Sequence, residues 1–197
     1  MSVSPLLTLP FALDDLMEDF FYPGAWSEDN AEEHWNIRWA EWEASGMCAA
    51  FREALSTVQL GADTKIIAFG NGSFTDPRAY PRGGPEQSGE LICRSHALQH
   101  FLMLTGKDVA MSRMAAGQAN GIRCIAQDPC YSGLDKHILT RHGIETLDHP
   151  KAFNEIDNNS VVISISCNIE VKLPVWVCAR PKVILWWKVT DFPGNTG

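Results

Sequence analysis

The residues of this chain best suited to chemistry stand at the ends of short apolar runs. Lys65-Ile66-Ile67-Ala68-Phe69 leads directly into Gly70-Asn71-Gly72-Ser73, and a Gly-x-Gly after a strand lets backbone N–H groups approach an anion. The third glycine of a dinucleotide fingerprint is missing, because that position is Thr75, and a proline-rich stretch separates the turn from the next helix. Ser73 occupies a strand-end position from which a serine can act as a nucleophile, with His100 or Asp128 as proton handler in a group-transfer reaction. The second glycine of the hydrolase elbow is absent, and the plainer role for Ser73 is to hydrogen-bond the turn backbone. Asp128 follows the run Ile122-Arg123-Cys124-Ile125-Ala126 and stands where nucleotide-binding folds place a ribose-binding acid. Its plainer role is to cap the turn before Pro129. Ser166-Cys167-Asn168 closes a third run and adds Ser166 and Asn168 as polar candidates.

A second grouping is Cys93, His96 and His100, spaced i, i+3 and i+7, so that one helical face presents three donors for a metal or a haem. Their leucine and phenylalanine neighbours equally suit core positions. No metal is assigned on this spacing, and no cofactor is named. Six cysteines at 48, 93, 124, 130, 167 and 178 include no CxxC pair. They read as buried or free thiols in a reducing compartment, and a zinc ribbon is excluded.

The elements that must position these groups follow from apolar spacing. Residues 12–22 carry Leu13, Leu16, Met17, Phe20 and Phe21 at helical spacing, and Pro23-Gly24 ends that element. A second helix is expected from Asn30, capped by Asn30 and Glu33, with Trp35, Trp39 and Trp42 on one packed face and the acids opposite in solvent. A third covers about residues 47–58. Strands are expected at Lys65–Phe69, Ile122–Ala126, about Ile144–Leu147, Val161–Ser166 and Val183–Trp187. Helices are expected at 90–105, ending before Gly106, and at 133–142, closed by Gly143. The segment at about 75–89, rich in proline and glycine, reads as a surface flap. This alternation predicts an α/β, Rossmann-like three-layer domain with a mainly parallel sheet, preceded by N-terminal helices. The boundary is drawn between an acidic helical segment, 1–60, that packs on the core and an α/β domain, 61–197.

Charge narrows the partners. Residues 1–46 hold ten acids against Arg38 alone, a net of −9, whereas the remainder holds 14 acids and 15 bases, a net of +1. The acidic segment repels a phosphate backbone and no basic stripe follows, which disfavours nucleic acid. No run of about 18 apolar residues exists to span a membrane, and the N-terminus lacks the basic start of a secretory signal. The expected setting is cytoplasmic, with nuclear access not ruled against. A small-molecule ligand is the expected partner, and the acidic helices offer a surface for a protein.

With these residues in view, about residues 64–190 resemble the SRR-like family, named for plant "sensitivity to red light reduced" proteins, and especially its fungal members. The resemblance is carried by Ile67-Ala68-Phe69-Gly70-Asn71-Gly72-Ser73, by Arg94-Ser95 with Gln99-His100, and by Ala126-Gln127-Asp128-Pro129 with Tyr131. It continues through Asp135-Lys136, Leu139, His142-Gly143-Ile144, Val161-Val162-Ile163-Ser164, Ala179-Arg180-Pro181 and Ile184-Leu185-Trp186. Asn71 stands where the family more often has leucine. The resemblance implies an α/β domain linked to circadian and light-response regulation or to haem metabolism, with no settled reaction. It adds Arg94, Gln99 and Tyr131 to the ligand-site candidates. The combined expectation is a small-ligand-binding or regulatory domain. An anionic or nucleotide-like ligand would lie over Gly70–Ser73, beside Asp128, under the 75–89 flap. The rival expectations are group transfer through Ser73, and haem or metal handling through Cys93, His96 and His100.

Overall fold

A computed structural model describes residues 6–7, 26–76, 89–114, 121–165, 171, 175 and 179–186. The helix expected over 12–22, most of the 75–89 flap, and Ser166 and Asn168 lie outside these residues.

The apolar runs pair as a parallel sheet. Its strands are β1 (Leu6–Leu7), β2 (Lys65–Phe69), β3 (Arg123–Gln127), β4 (Ile144–Thr146), β5 (Ser160–Ser164) and β6 (Val183–Trp186). The order across the sheet is β1-β6-β5-β2-β3-β4, and every pairing is parallel. Successive strands move outward from β2 to β3 and β4, and the chain then returns to place β5 on the other side of β2. The order therefore reverses between β2 and β5, and in open α/β sheets such a switch leaves a crevice beyond the carboxyl ends of the two strands.

Side chains alternate across this sheet, so each strand supplies two cores. Ile66, Ala68, Cys124, Ala126, Val161, Ile163, Val183 and Leu185 pack under the helices α1 (Glu28–Ala44), α2 (Gly46–Ser56), α3 (Gly89–Met111) and α4 (Gly133–Arg141). Ile67, Phe69, Ile125 and Val162 pack on the opposite face with Ala152 and Ile156, from in and beside the 3-10 helix Lys151–Glu155, and with Val171 and Val175. Both faces are covered, which is why these strands read as continuous apolar runs rather than alternating ones.

The N-terminal helices belong to the first of these cores. Trp35 and Trp42 are buried in α1, and Phe51 and Leu55 in α2; each such side chain contributes roughly 1.5–3 kcal/mol of transfer free energy. The cap of α1 is Ser27, whose hydroxyl accepts from Asn30 N–H, so the helix starts three residues before the expected Asn30 cap. Several of its acids form ion pairs while remaining exposed or half-buried. Glu28 and Glu32 pair with His137 and Arg141 of α4 and with its C-cap His142, and Glu41 bridges Arg38 and Arg94.

Helix α3 also departs from expectation, running through Gly106 to Met111. A Cβ at Gly106 would come within 3.2 Å of Ile66 Cδ1, so this glycine allows close helix–sheet approach rather than ending the helix. Gly143, with φ of 75°, does end α4 as its sequence position suggests. Among the described residues no helix is long and apolar enough to cross a membrane.

One polar tie joins α1 to α3 inside this core: the Trp42 indole N–H donates to Thr105 Oγ1 at 2.8 Å. Thr105→Val leaves the indole N–H buried and unpaired and should cost about 1–3 kcal/mol in urea unfolding. Adding Trp42→Phe removes the orphan donor, so the double variant should lose less than the two single losses added together.

Candidate functional site

The turn after β2 is shaped by two carboxylates from the neighbouring strand end and helix. Gly70 and Gly72 adopt φ of 70° and 75°, the left-handed region that favours glycine. The Gly72 N–H donates to Asp128 Oδ2 at 2.7 Å, and Asp128 Oδ1 takes the Cys130 N–H at the same distance. Two residues further on, Asp135 Oδ1 accepts from the Phe74 N–H, the Thr75 N–H and the Thr75 hydroxyl at 3.0, 3.1 and 2.9 Å. Asp135 Oδ2 accepts from the Ser132 N–H, closing a capping box at the start of α4. Asp135 is fully buried, and these four donors together with the helix N-terminus compensate its charge.

This arrangement occupies three of the amides expected to serve an anion seat over Gly70–Ser73. The amides of Gly72, Phe74 and Thr75 are already bonded to the protein's own carboxylates. A ligand phosphate brought to the same turn would meet two negative charges and lose those donors. Thr75, at the position of the missing third glycine, contributes both its N–H and its hydroxyl to Asp135.

The histidines of α3 are used in the same structural way. His96 Nδ1 lies 2.9 Å from the Ser73 carbonyl and must donate to it. The His96 ring also fills the space a side chain on Gly72 would need, since a Cβ there would stand 2.3 Å from Nδ1. His100 Nδ1 lies 2.7 Å from the His96 carbonyl, so it carries the ring proton, and Nε2 accepts from the Tyr131 hydroxyl at 2.7 Å. His100 is 0% exposed, and burial lowers its pKa from 6.5 to about 4, against the opposing effects of the His96 carbonyl and Asp135. Burial likewise lowers His96.

The three catalytic candidates therefore do not form a relay in this state. Both nitrogens of His100 are bonded to His96 and Tyr131, Asp128 is bonded to backbone amides, and Ser73 is 1% exposed. Cys93, His96 and His100 do not assemble as ligands either: no group of three or more His, Cys, Asp or Glu side chains suited to a metal occurs among the described residues. Arg94 is paired with Glu41 of α1. Asn71 and Gln99 are buried, with Asn71 Nδ2 3.6 Å from Met103 Sδ, and among the described residues their carbonyl oxygens have no hydrogen-bond donor.

An open cleft of about 230 Å³ lies on the other face of the sheet, at the carboxyl ends of β2 and β3, lined by Phe69, Gly70, Gln127, Pro129, His149, Phe153 and Val171. Its walls are chiefly apolar. Phe69 and Phe153 stack with ring centroids 4.4 Å apart, and His149 meets Phe153 edge-on. Gln127 is the buried polar group at the rim: its Oε1 accepts from the Ala152 N–H at 3.0 Å and its Nε2 lies 3.3 Å from His149 Nδ1. Of these residues only Gly70 was among the sequence candidates. Gln127 stood beside Asp128 at a strand end and could have been weighed there, whereas His149, Phe153 and Val171 reach the cleft through tertiary packing. Asp135 had a sequence signal, the Ser132-x-x-Asp135 capping box.

Two outcomes test this geometry. Asp135→Asn keeps the size but sets an NH2 group against at least one donor, and should cost about 2–4 kcal/mol in urea unfolding. Hydrogen exchange at the Phe74 and Thr75 amides should quicken ahead of β2. The second outcome is a pH dependence. Because the folded pKa of His100 is depressed, its contribution is fully present above about pH 6.5 and is lost as pH falls toward 4. Wild-type protein should therefore lose on the order of 2 kcal/mol from this residue between pH 7.5 and pH 5. His100→Gln should show a correspondingly shallower decline.

The model of the SRR1 domain family matches residues 51–192. No curated protein matches the chain, and no solved structure does.

Proposed function

The chain belongs to the SRR1 domain family, and we propose that it acts as a small-ligand-binding domain whose ligand occupies the cleft at the carboxyl ends of β2 and β3. The observation that carries this reading is the cleft itself, about 230 Å³ bounded by Phe69, Gly70, Gln127, Pro129, His149, Phe153 and Val171. It adjoins the point between β2 and β5 where the strand order reverses, where α/β sheets commonly take ligands. Mostly apolar walls with a few fixed polar groups are the usual composition of a small-molecule site.

The ligand is compact and held without a phosphate seat, because the amides of the adjacent turn are bonded to Asp128 and Asp135. A nucleoside should therefore bind as well as its nucleotide. Thermal-shift and calorimetric titrations against nucleosides, nucleotides, S-adenosylmethionine, haem and small aromatic fragments test the reading. At a ligand concentration of about 100 Kd, stabilisation of about 2.7 kcal/mol is expected, and it should be lost in Val171→Phe, whose larger side chain fills the cleft. The reading fails if no compound stabilises the protein, or if a well-folded Val171→Phe protein gains as much as wild type.

A further inference from the structure

We propose that His149 is the ligand-recognition residue of the cleft, a neutral imidazole held by Gln127 with its Nε2–H free to donate to an acceptor on an uncharged aromatic ligand. This rests on the cleft being the ligand site and adds the chemistry that selects the ligand.

The argument begins at the backbone of the 3-10 helix. The Ala152 N–H can only donate, so the Gln127 atom 3.0 Å from it is the carbonyl oxygen. That fixes the amide and turns its NH2 toward His149, whose Nδ1 lies 3.3 Å away. An NH2 group only donates, so His149 Nδ1 is the acceptor and carries no proton. The neutral ring must then hold its proton on Nε2. Gln127 is only 5% exposed, so the amide end of this part-buried contact is held in place by the protein.

His149 itself is exposed and lines the cleft, and its Nε2 has no partner among the described residues. The cleft thus offers a directed N–H donor beside the aromatic rings of Phe69 and Phe153 and the ring of Pro129. Such walls favour an aromatic ligand. The donor favours one with an exposed ring nitrogen or carbonyl over one presenting N–H. An anionic group gains nothing from the neighbouring turn, where Asp128 and Asp135 hold the amides.

Quinoline and indole test the assignment, being neutral bicyclic rings of similar size that present an acceptor and a donor respectively. Binding is followed by NMR at pH 7.5 through the Phe153 and Val171 signals, and the His149 tautomer is read from its imidazole nitrogen shifts. Wild-type protein should show His149 protonated at Nε2 and bind quinoline about five- to tenfold more tightly than indole, the value of one net hydrogen bond. Gln127→Glu replaces the NH2 group with a carboxylate oxygen, which moves the proton to Nδ1 and should abolish or reverse the preference. His149→Phe, at an exposed position, should equalise the two affinities and keeps the test decisive where Gln127→Glu does not fold. Protonation of wild-type His149 at Nδ1, or equal binding of both probes in the cleft, overturns the assignment while leaving the cleft as a ligand site. If neither probe moves the Phe153 and Val171 signals, the assignment falls, and a panel without any stabilising compound would then remove the cleft reading as well.

Discussion

The structure around the first strand end depends on one buried carboxylate. Asp135 takes both amides and the hydroxyl offered by Phe74 and Thr75, and it caps α4 through Ser132. A carboxylate without such donors would be costly to bury, and a turn without the carboxylate would carry unpaired buried amides. Each compensates the other, so the turn, the start of α4 and the end of β2 behave as one unit. Asp128 repeats the device two residues earlier by holding the Gly72 amide. The left-handed backbone at Gly72 and the His96 ring packed against it follow from the path these two acids impose.

That constraint separates the two sides of the sheet by role. On the helical side most of the polar groups at the strand end are bonded to one another: His96 to Ser73, His100 to Tyr131, and Asp135 to the turn. A histidine whose nitrogens are both bonded, and whose pKa burial has lowered to about 4, stays neutral near pH 7 and serves as a rigid hydrogen-bonding strut. On the opposite side Gln127 also has both ends of its amide engaged, yet its partner His149 is exposed at a cleft. Polar groups satisfied internally hold shape, and a polar group oriented from behind with its front edge free can meet a ligand.

Much of the fold was legible in the sequence because both faces of the sheet are covered. Continuous runs such as Lys65–Phe69 and Val161–Ser164 announce buried parallel strands, and Gly143 marks the end of α4. Gly106 misled because a glycine in a helix is either a stop or a close approach, and only the position of Ile66 decides between them. The start of α1 was displaced because Ser27 and Asn30 are both good caps, three positions apart. The site was less legible. Asp128 and Gly70–Ser73 were correctly seen as neighbours, but residue type alone did not show that the carboxylate and the amides satisfy each other. His149 and Phe153 have no local pattern linking them to Gln127; the contact is made by the 3-10 helix folding back over β3.

The same reasoning alters what the family motif means in this chain. The residues that carry the resemblance include Gly70–Ser73, His100, Asp128, Tyr131 and Asp135, and in the folded chain they are mainly one another's partners. Glycines followed by a serine, with an acid and a histidine at a distance, look like a catalytic inventory when read along the sequence. In three dimensions the acids bond the turn amides, and the histidine bonds a carbonyl and a tyrosine. Such a motif specifies how the strand end is built, and it places Gly70 and Gln127 at the rim of the cleft. Differences in ligand preference between proteins with this strand end would then arise from the residues at positions such as 149, 153 and 171, which line the cleft without helping to build the turn.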